Sequence, residues 1–176
     1  MRDLVERAKG GDADAFTSAI GTSVDQLYAA AYLVLRDARA AEDAVQDGLL
    51  RAWQRLPSLR DPDRFDAWVR RVVMHTAIDA ARRRRPTVEL PDDIGAPNRT
   101  ADVLATRELV GHAFARLAPD HRAVLVLRHY LDLTLPEIAR SLDIPEGTAK
   151  SRLHHATRQM RDALAALDPE LEDEIR

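Results

Sequence analysis

Residues 86–101 read "PTVELPDDIGAPNRTA", with three prolines, one glycine and four acids or amides. Each proline removes a backbone donor and fixes φ, so neither a helix nor a central strand survives that density. The helical patterning of the chain stops on one side of this stretch and resumes on the other. Such a chain is expected to be all-α: two small helical domains, residues 1–85 and 102–167, joined by a flexible linker at 86–101 and followed by an acidic tail at 168–176.

Both blocks carry apolar residues at three- and four-residue intervals. In "AAEDAVQDGLLRAWQRL" these are Ala41, Val45, Leu49, Ala52, Trp53 and Leu56, which predicts a helix ending at Pro57. "PSLRDPDR" is a loop by composition. A second helix starts near Asp63 and ends at "ARRRRP", with Phe65, Trp68, Val69, Val72, Thr76, Ala77 and Ala80 as its apolar stripe. Upstream, "DADAFTSAIGTSVDQLYAAAYLVLRD" reads as two further helices, with Asp12 or Asp14 as an N-cap. Beyond the linker, "VLATRELVGHAFARL" and "PDHRAVLVLRHYL" read as one helix each. Strand signals are nearly missing.

"TLPEIARSLDIPEGTAKSRLHH", residues 134–155, is the most informative run. Thr134 at the N-cap and Glu137 three residues later form a capping box, with Pro136 in the first turn. Leu135, Ile138, Ala139 and Leu142 face inward. Asp143 takes the turn, where it tolerates a left-handed backbone better than most non-glycines. Ile144 covers the turn and Pro145 opens the next helix. There Ala149, Leu153, Ala156, Met160 and Leu164 make one stripe, while Lys150, Ser151, His154, His155, Arg158 and Arg161 lie mostly off it. Two short helices, a tight turn and small Ala139 at the crossing have helix-turn-helix spacing. Gly147 and Thr148 leave the second helix free to approach a major groove, and its N-terminus suits a phosphate.

Composition narrows the classes. The chain of 176 residues has 26 basic and 29 acidic residues, a net charge of −3, which argues against strong unaided binding to duplex DNA. It has no cysteine, so disulfides and thiolate chemistry are excluded. No apolar run reaches membrane-spanning length, and the charged N-terminus lacks the core of a secretion signal, so the expected location is the cytoplasm. Neither a nucleotide loop nor a nucleophile–base arrangement is present, so no enzyme, cofactor or metal site is expected. The adjacent imidazoles of His154 and His155 are expected to point apart.

The block "LTLPEIARSLDIPEGTAKSRLHHA", with "LAPDHRAVLVLRHYLDLTLPEIA" leading into it, resembles region 4 of the extracytoplasmic-function sigma factors of the sigma-70 superfamily. "DARAAEDAVQDGLLRAW" and "FDAWVRRVVMHTAIDAARRR" resemble their region 2. The resemblance spans nearly the whole chain, in the right order. It implies an RNA polymerase sigma factor that directs core polymerase to specific promoters and assists initiation, with core polymerase, promoter DNA and an anti-sigma factor as partners and a monomer when free. Asp43, Val45, Gln46, Asp47, Leu50 and Trp53 would contact core polymerase, an acidic face against a basic one. Without the resemblance, that stretch reads as a solvated face over ordinary core, and Trp53 as core in either case.

For the minus-ten element the resemblance implies the loop from Ser58 through Arg60 to Asp63, then Arg71 and His75, with capture of an unstacked base. Arg82 and Arg83, in the run to Arg85, would hold phosphates; cations at a helix C-terminus also offset its dipole, and both roles are compatible. Thr148, Lys150, Ser151, Arg152, His154, His155 and Arg158 would serve the minus-thirty-five element. Glu89, Asp92 and Asp93 in the linker would mimic RNA. The chain departs from the family pattern at His75 (usually Asn), at His155 and Thr157 (usually Arg) and at Asp143 (usually Gly), while Gly48 resembles the primary sigma factors. The rival readings are a helix-turn-helix regulator acting without polymerase, which leaves the first block unexplained, and a helical interaction protein with a degenerate DNA-binding module.

Overall fold

The structure, a computed structural model, describes residues 1–83 and 101–168, with side chains from residue 108 onward in the second part. Every regular element among the described residues is helical. The first module holds α1 (Arg2–Lys9), α2 (Ala13–Ile20), α3 (Val24–Leu35), α4 (Ala38–Arg55) and α5 (Phe65–Arg83), with 3₁₀ turns at Leu56–Ser58 and Pro62–Arg64. The second holds α6 (Ala101–Ala115), α7 (Pro119–Leu125), α8 (Leu135–Leu142) and α9 (Glu146–Ala165). The expected linker, apart from Ala101 at the start of α6, lies outside the described residues, with Arg84, Arg85 and the tail beyond Asp168.

Local chemistry sets the boundaries. Asp12, not Asp14, caps α2 by accepting from the Ala15 N–H at 2.9 Å. Asp37 does the same for α4 through Ala40 at 2.7 Å. Gly11 turns at φ +97°, a conformation that a side chain would strain. Charge dominates residues 2–9, and the sequence pattern assigns them no element. They form α1 nonetheless, because Val5 and Ala8, one turn apart, are buried and seat it against α2.

The core of the first module is built on helix crossings. Phe16 meets Trp53 and Phe65 edge to face, with centroids 5.2 and 6.0 Å away, an arrangement worth roughly 0.5–1.5 kcal/mol per pair beyond area burial. At the crossing of α4 and α5, a Cβ on Gly48 would lie 2.9 Å from both Cα and Cγ2 of Val73. The glycine is what lets the two backbones approach.

Helix α5 is central. Helices α3 and α4 of its own module and α7 and α8 of the second all pack against it. This corrects its expected stripe. Phe65, Val69, Thr76 and Ala77 are buried, but so are Val73, Met74, Ile78 and Ala81, while Trp68, Val72 and Ala80 are only partly buried. A helix covered by both modules shows no simple amphipathic period. The same cause hides the end of α7. Ala123 to Leu127 are buried in unbroken succession between α9 and the first module. The expected single helix widens after Leu125 into a π turn over Val126–Tyr130, where the Leu131 N–H reaches the Val126 carbonyl.

The helix-turn-helix forms as expected. The Glu137 carboxylate accepts from the Thr134 N–H at 2.9 Å and from its hydroxyl at 2.6 Å. Asp143 adopts the left-handed conformation, φ 55° and ψ 45°. Pro145 sits at the N-cap, so α9 begins one residue later, at Glu146.

Candidate nucleic-acid and protein interfaces

On α4, Asp43, Gln46, Asp47 and Leu50 share one exposed face at helical spacing, and Leu50 is 55% exposed, unusual for a leucine. Val45 does not join that face; it is 6% exposed and part of the core. Trp53 is half-buried with its ring on Phe16. The face that remains is two carboxylates, an amide and an apolar side chain, none with an ion pair within the described residues.

The loop after α4 is held from below. Leu59 is buried, Asp61 accepts from the Asp63 N–H at 3.1 Å, and Arg2 of α1 forks onto the Asp63 carboxylate at 3.2 and 2.8 Å. Ser58 and Arg60 are exposed on it, though the Ser58 hydroxyl donates to the Arg55 carbonyl at 2.6 Å.

On α5 the expected DNA-contacting residues face the second module. Arg71 is half-buried and pairs with Asp143 of the helix-turn-helix turn at 2.9 Å. His75 lies one turn on, half-buried, and its Nε2 has no hydrogen-bond partner. Burial, and then the positive charge of Arg71, push its pKa below the ordinary value; Asp143 and Asp79 oppose this. Arg82 forks onto Asp120 of α7 at 2.8 Å through both Nε and Nη2. Asp120 also receives Arg152 of α9 at 3.3 Å. The hydrogen bond from Arg82 is the main reason the Asp120 carboxyl is held below its ordinary pKa. Arg83 is exposed.

Helix α9 presents Thr148, Lys150, Ser151, His154, His155 and Arg158 to solvent. The Ser151 hydroxyl donates to the Thr148 carbonyl at 3.1 Å. A Cβ on Gly147 would meet nothing within 4 Å, so nothing in the fold itself requires glycine there. His154 and His155 do not point apart: their rings meet edge to face, with centroids 5.7 Å apart. The helix places adjacent side chains at about 100° to one another, and both imidazoles fold across the gap. Among the described residues, no group of three or more His, Asp or Glu is placed to hold a metal ion.

Residue patterns gave no sign of Asp120, Arg36 or Arg122 as interface residues. Arg36 closes α3 in a left-handed conformation, φ 61°, and is 8% exposed. Arg122 of α7 lies near it, and the Nε of each is buried without a hydrogen-bond partner. Burial, with the charge of Arg36 adding to it, lowers the Arg122 pKa to about 10. Contacts between residues so far apart in sequence leave no local spacing to read.

Two families match in the order of the modules: "Sigma-70 region 2" over residues 20–87 and "Sigma-70, region 4" over residues 107–160. The ECF RNA polymerase sigma factor SigW of Bacillus subtilis (strain 168) is 28% identical over 183 residues, covering 95% of this chain and 98% of that protein. The ECF RNA polymerase sigma factor SigL of Mycobacterium tuberculosis is 39% identical over 138 residues, covering 74% of this chain and 78% of its own length. Among solved structures, CnrH in complex with the cytosolic domain of CnrY superposes with a TM-score of 0.67 at 26% identity, over 95% of this chain and 97% of that one. The sigma factor RpoE of Bartonella quintana, in complex with the anti-sigma factor NepR, gives 0.69 at 22% identity, over 85% and 96%, a likeness of fold. With both regions matched in order and a relative at 39% identity, the chain belongs to the extracytoplasmic-function sigma factors, which bring RNA polymerase to specific promoters.

Proposed function

We propose that the two modules divide the work of initiation. The exposed face of α4, through Asp43, Gln46, Asp47 and Leu50, grips core polymerase. The loop bearing Ser58 and Arg60, with the outer side of α5, takes the minus-ten element, and α9 reads the minus-thirty-five element through Thr148, Lys150, Ser151, His154, His155 and Arg158. The module boundaries near residues 85 and 102 follow the same division. An anti-sigma factor is the expected regulator, since sigma factors similar in fold are held by such partners. The site of action is then the cytoplasm, and the role is recruitment rather than catalysis.

The observation that carries this reading is the contrast between two exposed helix faces. One is acidic and apolar; the other is basic and hydroxyl-bearing and opens on a glycine that the fold does not need. An acidic face with an exposed leucine suits a basic protein surface. A helix with a bare N-terminus and cationic edges suits a groove lined by phosphates.

The test is reconstitution. Wild-type protein added to core polymerase directs transcription from a subset of promoters, selected from random DNA. Leu50→Asp lowers copurification with core. Lys150→Ala with His154→Ala weakens dependence on the minus-thirty-five element and leaves core binding intact. A holoenzyme without promoter selectivity, or core binding lost in the α9 variant, contradicts the division.

A further inference from the structure

We infer that Arg2 of α1 is a positioning residue for the minus-ten loop: its grip on Asp63 fixes the far end of the loop and removes a negative charge from the path of the DNA strand. The inference rests on the functional reading above, in which the loop from Ser58 to Asp63 takes the minus-ten element, and it adds a residue to that site. Arg2 donates to both oxygens of the Asp63 carboxylate, from Nε at 3.2 Å and from Nη2 at 2.8 Å, across 61 positions of sequence. A forked guanidinium fixes orientation as well as distance. Helix α1 also packs on both 3₁₀ turns that bound the loop, Leu56–Ser58 and Pro62–Arg64. The "Sigma-70 region 2" match begins at residue 20, so α1 lies outside it.

The loop carries two carboxylates, Asp61 and Asp63, where a DNA strand calls for cations. Both are engaged within the fold. Asp61 accepts from the Asp63 N–H at 3.1 Å and pairs with Arg64 at 3.4 Å. Asp63 takes Arg2. Arg60 is exposed and makes no ion pair among the described residues. With its acids answered from inside the protein, the loop offers Arg60 to a phosphate. Without Arg2, a bare carboxylate at Asp63 would oppose it.

The same pair contributes little to the fold. Leu56, Leu59 and Pro62 are buried and seat the loop by themselves. The side chains of Arg2 and Asp63 are 65% and 66% exposed, so water and salt screen their attraction. Removing Arg2 should therefore spare stability and show in the site alone, which separates positioning from a structural role.

The test uses the full chain with core polymerase on a promoter that the wild-type holoenzyme selects from random DNA. A 2-aminopurine in the minus-ten element reports the unstacked base. Arg2→Ala should slow unstacking about three- to fivefold at low salt, with the deficit shrinking as salt rises. Arg2→Asp should slow it about tenfold, and Arg2→Asp with Asp63→Arg should return it to within about twofold of wild type by remaking the pair. Arg7→Ala breaks the other fork of α1, onto Asp12 at 3.1 and 2.7 Å. It removes the same charge and should leave unstacking unchanged. Copurification with core and the urea midpoint should stay at wild-type values in the Arg2 variants. Wild-type unstacking in Arg2→Ala, an equal deficit in Arg7→Ala, a deficit that tracks a lower urea midpoint, or a charge swap that restores nothing overturns the assignment. Wild-type protein that gives no promoter-directed transcription with core polymerase overturns the functional reading instead.

Discussion

Gly48 and Gly147 occupy helices of opposite circumstance. At Gly48 an added methyl would sit 2.9 Å from the backbone of α5, so Gly48→Ala has to separate two packed helices. Its expected cost is about 1–3 kcal/mol, read as a lower urea midpoint with an unchanged slope. Gly147→Ala meets nothing and gains helix propensity of up to about 1 kcal/mol. On the proposed reading, in which that open space admits DNA, it should leave stability equal or higher while weakening promoter binding. Loss of stability in Gly147→Ala would show instead that the glycine serves the fold. His75 supplies a second residue-level expectation. Its folded pKa lies below the ordinary 6.5 because of burial and Arg71, so the unfolded chain takes up the proton more readily. Stability is then complete above the unfolded value and falls as pH drops below it. Arg71, Asp79 and Arg82 on α5, and Asp143 from the second module, all face this imidazole. Urea unfolding from pH 7 to 5 should show a larger loss for wild type than for His75→Asn; parallel losses would remove His75 as the cause.

Among the elements, the helix-turn-helix was the most legible in sequence, because its signals are local. A cap, its Glu three residues on, a turn residue and a proline lie within one short run, and each appears where expected except Pro145, which sits at the N-cap one place before the helix it was to open. Removing the box by Glu137→Ala should cost about 0.5–2 kcal/mol and show as faster amide exchange in the first turn of α8. Unchanged exchange there would mean that packing of Ile138 and Leu142 alone holds that turn. Helices α5 and α7 were poorly legible for the opposite reason. Helix α5 is covered by its own module and by the second, and the run Ala123 to Leu127 lies between α9 and the first module, whereas sequence periodicity records a single buried side. The exposed members of the candidate faces followed from spacing and family likeness. The pairing of Arg71 with Asp143 and of Arg82 with Asp120 did not, since the partners lie in different modules.

Taken whole, one continuous apolar core runs from the first module into the second. Val5, Val34, Leu56, Phe65, Val73 and Met74 are almost fully buried in the first, around the aromatic trio, and Val124, Leu127 and Ile138 in the second. Cover thins along α9, where Leu153 and Met160, and Leu164 near its end, are only partly covered. A core that thins away from the first module should lose its far end before the whole unfolds. The two tryptophans, Trp53 and Trp68, both lie in the first module, so fluorescence follows that module alone, while far-ultraviolet circular dichroism follows every helix. Urea curves from the two probes should fail to superimpose, with the dichroism midpoint lower. Acid should widen the gap. The Asp120 carboxyl is held below its ordinary value by Arg82, so its contribution is complete above the ordinary carboxylate range and is lost as pH falls through the lowered one. At neutral pH the Arg82–Asp120 contact ties the second module to the first; once Asp120 is protonated that tie weakens, and the second module should melt earlier while the fluorescence transition moves less. Coincident curves at both pH values would instead show that the shared core melts as one unit whatever the state of Asp120.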